Sequence, residues 1–318
     1  MARTRQDDAT RLDDAARAGW LYYVAGKTQD EIAQTLKISR QSAQRLVSLS
    51  VSAGLVKVRI DHPIAACLDL GRRLRERFSI GFAEIVPSDP GSSSTTLGIA
   101  LAGAAEMERR LRQTAPLVIG MGTGRTLKSA VEHLPAMECP QHRIVSLTAN
   151  ITLDGSASIY NVIFSMADQI RAPHYPMPLP VVVSSKKERL LLHEQKVVQS
   201  TLALAAKADV TFVGIGDMGP DAPLVKDGFV TAAECAALSK DGGVGEIVGW
   251  VFDSRGRILD CAFNERVASA PLPPTKKGEV IVVAMGPVKT PPMRAALEGR
   301  LVNGIVTDEA TAAALLSG

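Results

Sequence analysis

From residue 80 onward, short apolar runs rich in β-formers recur between helical patterns, and this alternation constrains the fold more than any other feature. The runs cover 82–86, 117–121, 143–147, 180–183, 210–215, 247–252, 280–284 and 304–307. Helical periodicity occupies most of the intervals, over 97–112, 126–132, 159–170, 188–206, 232–238 and 292–299. Parallel strands need long crossover connections, which helices supply, so the pattern predicts an α/β domain with a mostly parallel sheet flanked by helices. The unbroken apolar character of 117–121 and 280–284 suits central strands buried on both faces. The proline-rich stretch 173–180 reads as a loop.

The first sixty residues have a different texture. Residues 1–12 are polar and read as frayed, and a helical stripe follows over 12–24, closed by Gly26. Thr28 with Glu31 three residues on reads as a capping box, opening a short helix that ends near Leu36. Lys37 and Ile38 make a turn, and Ser39 caps a second helix over 40–53. Ile32, Ala33, Leu36, Ile38, Ala43, Leu46 and Val47 fall where two short helices press together around a tight turn. This is the pattern of a helix-turn-helix. Many such turns carry glycine where this chain has Lys37, which costs energy if φ is positive there. Residues 54–60 alternate apolar and basic, as a short wing-like strand would. The expected division is a winged helix-turn-helix domain over 1–62 and an α/β domain over 63–318, with 63–79 as a linker helix.

Charge supports the same division. Residues 1–60 hold ten Lys+Arg against six Asp+Glu, whereas the remainder holds 26 against 27. Between Lys37 and Arg59 there are five bases and no acid, a small cationic face of the kind that a phosphate backbone attracts. Ordinary helical domains also contain helix-turn-helix geometry. Here apolar spacing, charge and position agree, and double-stranded operator DNA is the expected partner. Ser39, Arg40, Gln41, Ser42 and Gln44 lie at the start of the second helix, which would enter the major groove. Thr28 and Gln29 open the first helix beside it. Arg45 would face a phosphate or the groove wall, and Lys57 and Arg59 would hold the backbone from the wing.

Several classes are disfavoured. Cys67, Cys139, Cys235 and Cys261 show no paired spacing, and the five histidines show no ligand spacing, so neither a disulfide framework nor a metal site is expected. No cofactor is expected either. No apolar run approaches the ~18–20 residues of a membrane span, and the first residues have no signal-peptide pattern. The expectation is a cytoplasmic protein without a membrane partner.

A second motif lies in the α/β part. The apolar strand at 118–121 runs into Gly122-Thr123-Gly124-Arg125-Thr126 and then a helix. Glycines let the backbone approach a ligand, the threonines offer hydroxyls, and the helix start offers N–H groups. Tight strand-to-helix turns recruit glycine for packing as well. The loop is not a dinucleotide fingerprint, because no acid stands at the proper later strand end, and it is not a Walker A loop.

With these segments in order, the chain resembles the SorC family of sugar-responsive regulators, also described as DeoR-like. The resemblance runs from about Ala16 to the C-terminus. It rests on the helix-turn-helix, the 120–126 loop, 161–167, 208–216, 242–247 leading to Phe252-Asp253, 284–289 and 307–309. It implies a sugar-binding domain related to sugar-phosphate isomerases, assembly into homodimers or homotetramers, and a sugar or polyol effector at the C-terminal ends of the strands. Carried over by position, the implied effector contacts are Gly122, Thr123, Gly124, Arg125, Thr126, Asp217, Asp253 and Lys289. Asn150 and Asn161 could bond hydroxyls. As readings of the residues alone, Lys289 could be a solvated loop lysine, Asp217 a helix cap and Asp253 a turn residue. Relatives that read phosphorylated sugars tend to carry Arg-Gly-Gly where this chain has Thr148-Ala149-Asn150, which favours a neutral ligand.

Three functions compete. One is a DNA-binding transcription regulator controlled by a carbohydrate effector, free or phosphorylated, of a carbohydrate catabolic operon. Another is a sugar-phosphate isomerase or deaminase with an added DNA-binding module; Asp217 is a candidate base, but no convincing partner stands beside it. The last is a scaffold whose α/β domain binds nothing. The regulator is the reading adopted, with no catalytic residue assigned.

Overall fold

The computed structural model describes residues 2–56, 64–89, 91, 94–151 and 160–317, except for the side chains of 2–9, 94, 150 and 151. The chain divides into two units, Met1–Pro63 and Ile64–Gly318.

In the first unit, α1 (Ala2–Tyr23), α2 (Gln29–Leu36) and α3 (Arg40–Ser52) pack around Ala18, Leu21, Ile32, Ala33, Ala43 and Val47. The expected capping box is present: Thr28 Oγ1 accepts from the Glu31 N–H, and a Glu31 carboxylate oxygen accepts from the Thr28 N–H at 2.8 Å. Ser39 caps α3 through the Ser42 N–H. Between them Lys37 ends α2 in the left-handed conformation, φ +55°. One expectation is corrected: α1 begins at Ala2, not near residue 12. The apolar stripe that marks the helix starts at Leu12, but the Arg, Gln and Ala before it are good helix formers in their own right. Of the expected wing, Gly54 to Val56 form a turn after α3, and the rest lies outside the described residues.

In the second unit, α4 (Ala65–Phe78) leads into a seven-stranded sheet. Its strands are β1 (Phe82–Val86), β2 (Val118–Met121), β3 (Arg143–Ile151), β4 (His174–Pro180), β5 (Val210–Val213), β9 (Glu279–Val283) and β10 (Gly304–Asp308). All pairs are parallel, in the order β1-β10-β9-β5-β2-β3-β4. Crossover helices include α5 (Ser94–Leu111), α6 (Arg125–Glu132), α7 (Val162–Ile170), α8 (Lys186–His193) and α9 (Lys196–Ala205). The helices α10 (Pro223–Lys226), α11 (Ala232–Lys240), α12 (Thr290–Glu298) and α13 (Glu309–Leu316) follow in the second half. A separate antiparallel sheet, in the order β6-β7-β8, is built from β6 (Gly216–Asp217), β7 (Gly243–Ile247) and β8 (Trp250–Asp253).

Alternation along the strands splits the core in two. Val280 and Val282 join a cluster with Leu147 and Val213, while Ile281 and Val283 join another with Ile119 and Phe212. Successive strand residues point to opposite faces, so both faces of the sheet are apolar and both are covered.

Three local expectations change. The run 247–252 is not a parallel strand but a hairpin: Ile247 pairs with Trp250 across Val248 (φ +48°) and Gly249 (φ +91°). Two central residues with positive φ make the tight turn that matches strand twist. The proline-rich stretch is β4, at the sheet's edge. Proline lacks the N–H that an inner strand must donate, and an edge strand tolerates that loss. The single helix over 188–206 is instead α8 and α9, broken at Glu194-Gln195.

Candidate functional site

The chain runs outward from β2 through β3 to β4, then returns to place β5 on the other side of β2. Strand order reverses between β2 and β5, and at such a point the loops leaving adjacent strand ends diverge and open a crevice. The loop after β2 is tied to β5 by the Gly122 N–H, which donates to the Phe212 carbonyl at 2.8 Å. Gly124 then takes φ +121° before α6, and among the described residues no side chain caps that helix. Its first N–H groups therefore face the strand ends with their partial positive charge.

A cavity of about 300 Å³ occupies this crevice. Thr123, Gly124, Arg125 and Thr126 line one side, and the hairpin tip with Glu246, Val248 and Gly249 lines another. Thr96, Thr148, Tyr160, Asp227 and Lys289 add further polar groups. Pockets of this size, mostly apolar with a few convergent polar groups, are the usual form of a small-molecule site.

The polar groups are interlinked. Lys289 Nζ donates to Asp217 Oδ1 at 2.5 Å, and the Gly219 N–H donates to Asp217 Oδ2 at 3.2 Å. Burial alone would raise the Asp217 carboxyl, but the lysine and the N–H outweigh it and hold the group below the ordinary aspartate value. Tyr160 donates its hydroxyl to Asp227 Oδ1 at 2.9 Å. Burial raises the Asp227 carboxyl, against the pull of Tyr160 and of Arg125. Glu246 Oε2 accepts the Gly249 N–H at 2.8 Å, within the hairpin turn. Its other oxygen lies over Gly216, where a Cβ would overlap it. Burial, with Asp227 and Asp217 nearby, raises the Glu246 carboxyl despite the Gly249 N–H and Lys289.

The structure brings together some of the effector residues expected from sequence. Thr123, Gly124, Arg125, Thr126 and Lys289 line the cavity, with Gly122 beneath the loop and Asp217 behind Lys289. Asp253 stands apart: it accepts from the Arg255 and Arg257 N–H groups, both at 2.9 Å, and pairs with the Arg257 side chain. Its carboxylate is consumed by its own turn. Asn161 is exposed at the start of α7 and does not line the cavity. The side chain of Asn150, on β3, lies outside what is described. Sequence reasoning missed Tyr160, Asp227 and Glu246. Only Glu246 had a local signal, as a lone carboxylate in the glycine-rich run 242–247.

In the first unit, Arg40, Gln41, Gln44 and Arg45 are exposed on α3, opposite the buried Ala43 and Val47. Arg40 approaches the Asp30 carboxylate of α2 at 3.4 Å, and both side chains remain largely exposed. Thr28 and Ser39 use their hydroxyls as helix caps, and Gln29 opens α2. Lys57 and Arg59 lie outside the described residues.

Among the described residues no cluster of His, Cys, Asp and Glu could hold a metal, and no helix is long and apolar enough to cross a membrane.

Comparison with known proteins agrees with this architecture. The family model Sugar-bind, described as "Putative sugar-binding domain", matches residues 62–317. The chain is 33% identical over 302 residues to the erythritol catabolism regulatory protein EryD of Brucella abortus (strain 2308), covering 95% of this chain and 96% of that protein. It is 30% identical over 314 residues to the transcriptional regulator LsrR of Enterobacter sp. (strain 638), covering 97% and 94%. The full-length sorbitol operon regulator SorC of Klebsiella pneumoniae shares the fold, with a TM-score of 0.71 at 24% identity over 96% of this chain and 99% of that one. These relatives are regulators rather than enzymes, which decides between the regulator and isomerase expectations. The chain belongs to the SorC family of sugar-binding transcription regulators.

Proposed function

We propose that the switch-point cavity is the effector site and that α3 is the operator-reading helix. The effector is a small polyhydroxylated molecule, a sugar or polyol. The observation that carries this reading is the convergence of hydroxyl, carboxylate and amino groups with helix N–H groups in one cavity of about 300 Å³. Hydroxyl-rich ligands are recognised by such mixed donors and acceptors. The name of the relative EryD, an erythritol catabolism regulator, supports a small polyol.

Base contacts come from Arg40, Gln41, Ser42 and Gln44. Arg45 holds the phosphate backbone, as do Lys57 and Arg59. Thr28, Gln29 and Ser39 contribute through the helix starts at which they stand. The protein acts as a homodimer or homotetramer, since two-fold operators are read by paired heads. The effector shifts operator affinity only as far as it binds one arrangement of the assembly better than the other.

A thermal-shift screen of the purified chain against sugars, polyols and their phosphates tests the effector site, because a ligand of the folded state raises stability by mass action. Thr123→Val should weaken the response to a hit while operator affinity persists. An equal response in both proteins would move the effector elsewhere.

A further inference from the structure

We propose that Asp227 and Glu246 are specificity-determining residues that make the cavity accept a neutral polyol or free sugar and reject its phosphate esters. This rests on the effector-site reading given above and goes beyond it by fixing the charge class of the ligand.

The charges on the cavity wall argue for it. Among the described residues, Arg125 and Lys289 are its cations, and Asp227 and Glu246 its anions. Lys289 is not available as an unmatched charge, because Asp217 pairs with it at 2.5 Å. Counting that partner, the described residues set two cations against three carboxylates, a formal net charge of −1. A phosphate monoester brings a further charge of about −1.5 to −2. The uncapped start of α6 offers roughly half a positive charge, too little to reverse the balance. Arg125 is exposed and close enough to Asp227 for its charge to be felt there.

The same carboxylates suit hydroxyl groups. Asp227 gives one oxygen to Tyr160, and among the described residues its other oxygen has no donor. Glu246 gives one oxygen to the Gly249 N–H. A carboxylate accepts from two hydroxyls at once, and a protonated carboxyl both donates and accepts, so either state can pair with a polyol. Burial, with Asp227 and Asp217 nearby, raises the Glu246 carboxyl against the pull of the Gly249 N–H and Lys289. The Ser269 hydroxyl donates to Thr148 Oγ1 at 3.2 Å, so a further hydroxyl pair borders the cavity.

The test is titration calorimetry on the full-length protein with free C4 to C6 polyols and aldoses, each beside its own phosphate monoester, and with inorganic phosphate. The expected result is a neutral ligand bound at least roughly tenfold more tightly than its ester, the scale on which facing like charges discriminate. Asp227→Asn and Glu246→Gln, checked for folding by circular dichroism, should each narrow that ratio by roughly tenfold, mainly by weakening the neutral ligand and relieving the repulsion of the ester. An ester bound as tightly as its parent by the wild type would overturn the charge-class inference and leave the effector site standing. So would a ratio unchanged in both folded variants. No binding by any carbohydrate, charged or neutral, would overturn the effector site itself and this inference with it.

Discussion

Lys289 at the start of α12 and Asp217 on β6 meet at 2.5 Å, with side chains only 19% and 17% exposed. The pair joins the strand that continues from β5 to the turn that follows β9. Removing the lysine alone strands a half-buried carboxylate. Lys289→Ala should therefore cost about 1.5–3 kcal/mol of stability in the second unit, the range for a hydrogen bond to a charged group. Asp217→Asn added to Lys289→Ala should recover part of that loss. Urea unfolding of the wild type, both singles and the double would measure it, and strictly additive costs would show that the two side chains do not couple.

The acids of the cavity predict an unusual pH response. Asp217 is held low, so its contribution is present above the unfolded aspartate value, near ~3.9, and is lost as pH falls through its lower folded value. Asp227 and Glu246 are raised, so their sign is opposite. Their contribution is fullest below the unfolded values, about 3.9 and 4.3, and is lost as pH rises through the raised folded values. Across that window the folded state binds more protons, and stability should decline as pH rises. Glu246→Gln keeps an acceptor for the Gly249 N–H but removes this titration. Melting temperatures from pH 4.5 to 8 should slope less steeply in the variant; parallel curves would remove Glu246 as the source.

Val248 lines the cavity with φ +48°, a conformation that β-branched residues rarely adopt. Such strain costs of order 1–3 kcal/mol and collects at functional sites. Asparagine before Gly249 would suit the turn, so Val248→Asn should stabilise the hairpin by roughly 1 kcal/mol. It also exchanges an apolar wall for a polar one, and effector affinity should fall. Thermal denaturation read together with ligand titration would separate the two effects. A variant both less stable and equally responsive would mean that Val248 is neither strained nor in contact with effector.

The legibility of these features in the sequence follows distance along the chain. Strand and helix alternation, the capping box at Thr28 and Glu31, and the Ser39 cap are written within a few residues, and each was readable. The hairpin at 247–250 was not, because a continuous apolar run carries no sign of a reversal when the turn residue is valine. Asp227 looks like an ordinary polar residue after Lys226. Its meaning comes only from Tyr160, 67 positions away. Glu246 likewise depends on Gly216, whose missing side chain leaves room for the carboxylate. Asp253 shows the two levels apart: the resemblance implied a ligand contact, while its own neighbours pointed to a turn residue, and Arg255 and Arg257 supply the bonds it makes.

In the first unit, Gly19 of α1 lies close against the end of α3. A Cβ there would lie 2.5 Å from Ser50 Oγ and 2.7 Å from Val56 Cγ2. Alanine gains up to ~1 kcal/mol in helix propensity, but overpacking typically costs about 1–3 kcal/mol. Gly19→Ala should therefore lose stability on balance and loosen α3. Hydrogen exchange in α3 would report the loosening as faster exchange; unchanged protection would mean that the helices shift apart at no cost.

The exposed face of α3 makes a prediction that separates reading from holding. Arg40 and Gln44 stand one helical turn apart on that face, as do Gln41 and Arg45. Arg40 also approaches Asp30, but the pair is solvent-exposed, and such pairs contribute only about 0–1 kcal/mol. DNA can therefore take the guanidinium at little cost. A side chain that bonds a base edge contributes about 1–3 kcal/mol of discrimination, whereas one that bonds phosphate acts alike on all sequences. Arg40→Ala and Gln44→Ala should each weaken operator binding by that amount and leave non-specific binding nearly unchanged. Arg45→Ala should weaken both equally and reduce the slope of log K against log[salt] by about 0.9, one released counterion. Fluorescence anisotropy with operator and scrambled duplexes at several salt concentrations gives both quantities. If Arg40→Ala lowered affinity for the two duplexes alike, Arg40 would hold the backbone, and base readout would pass to Gln41 and Gln44.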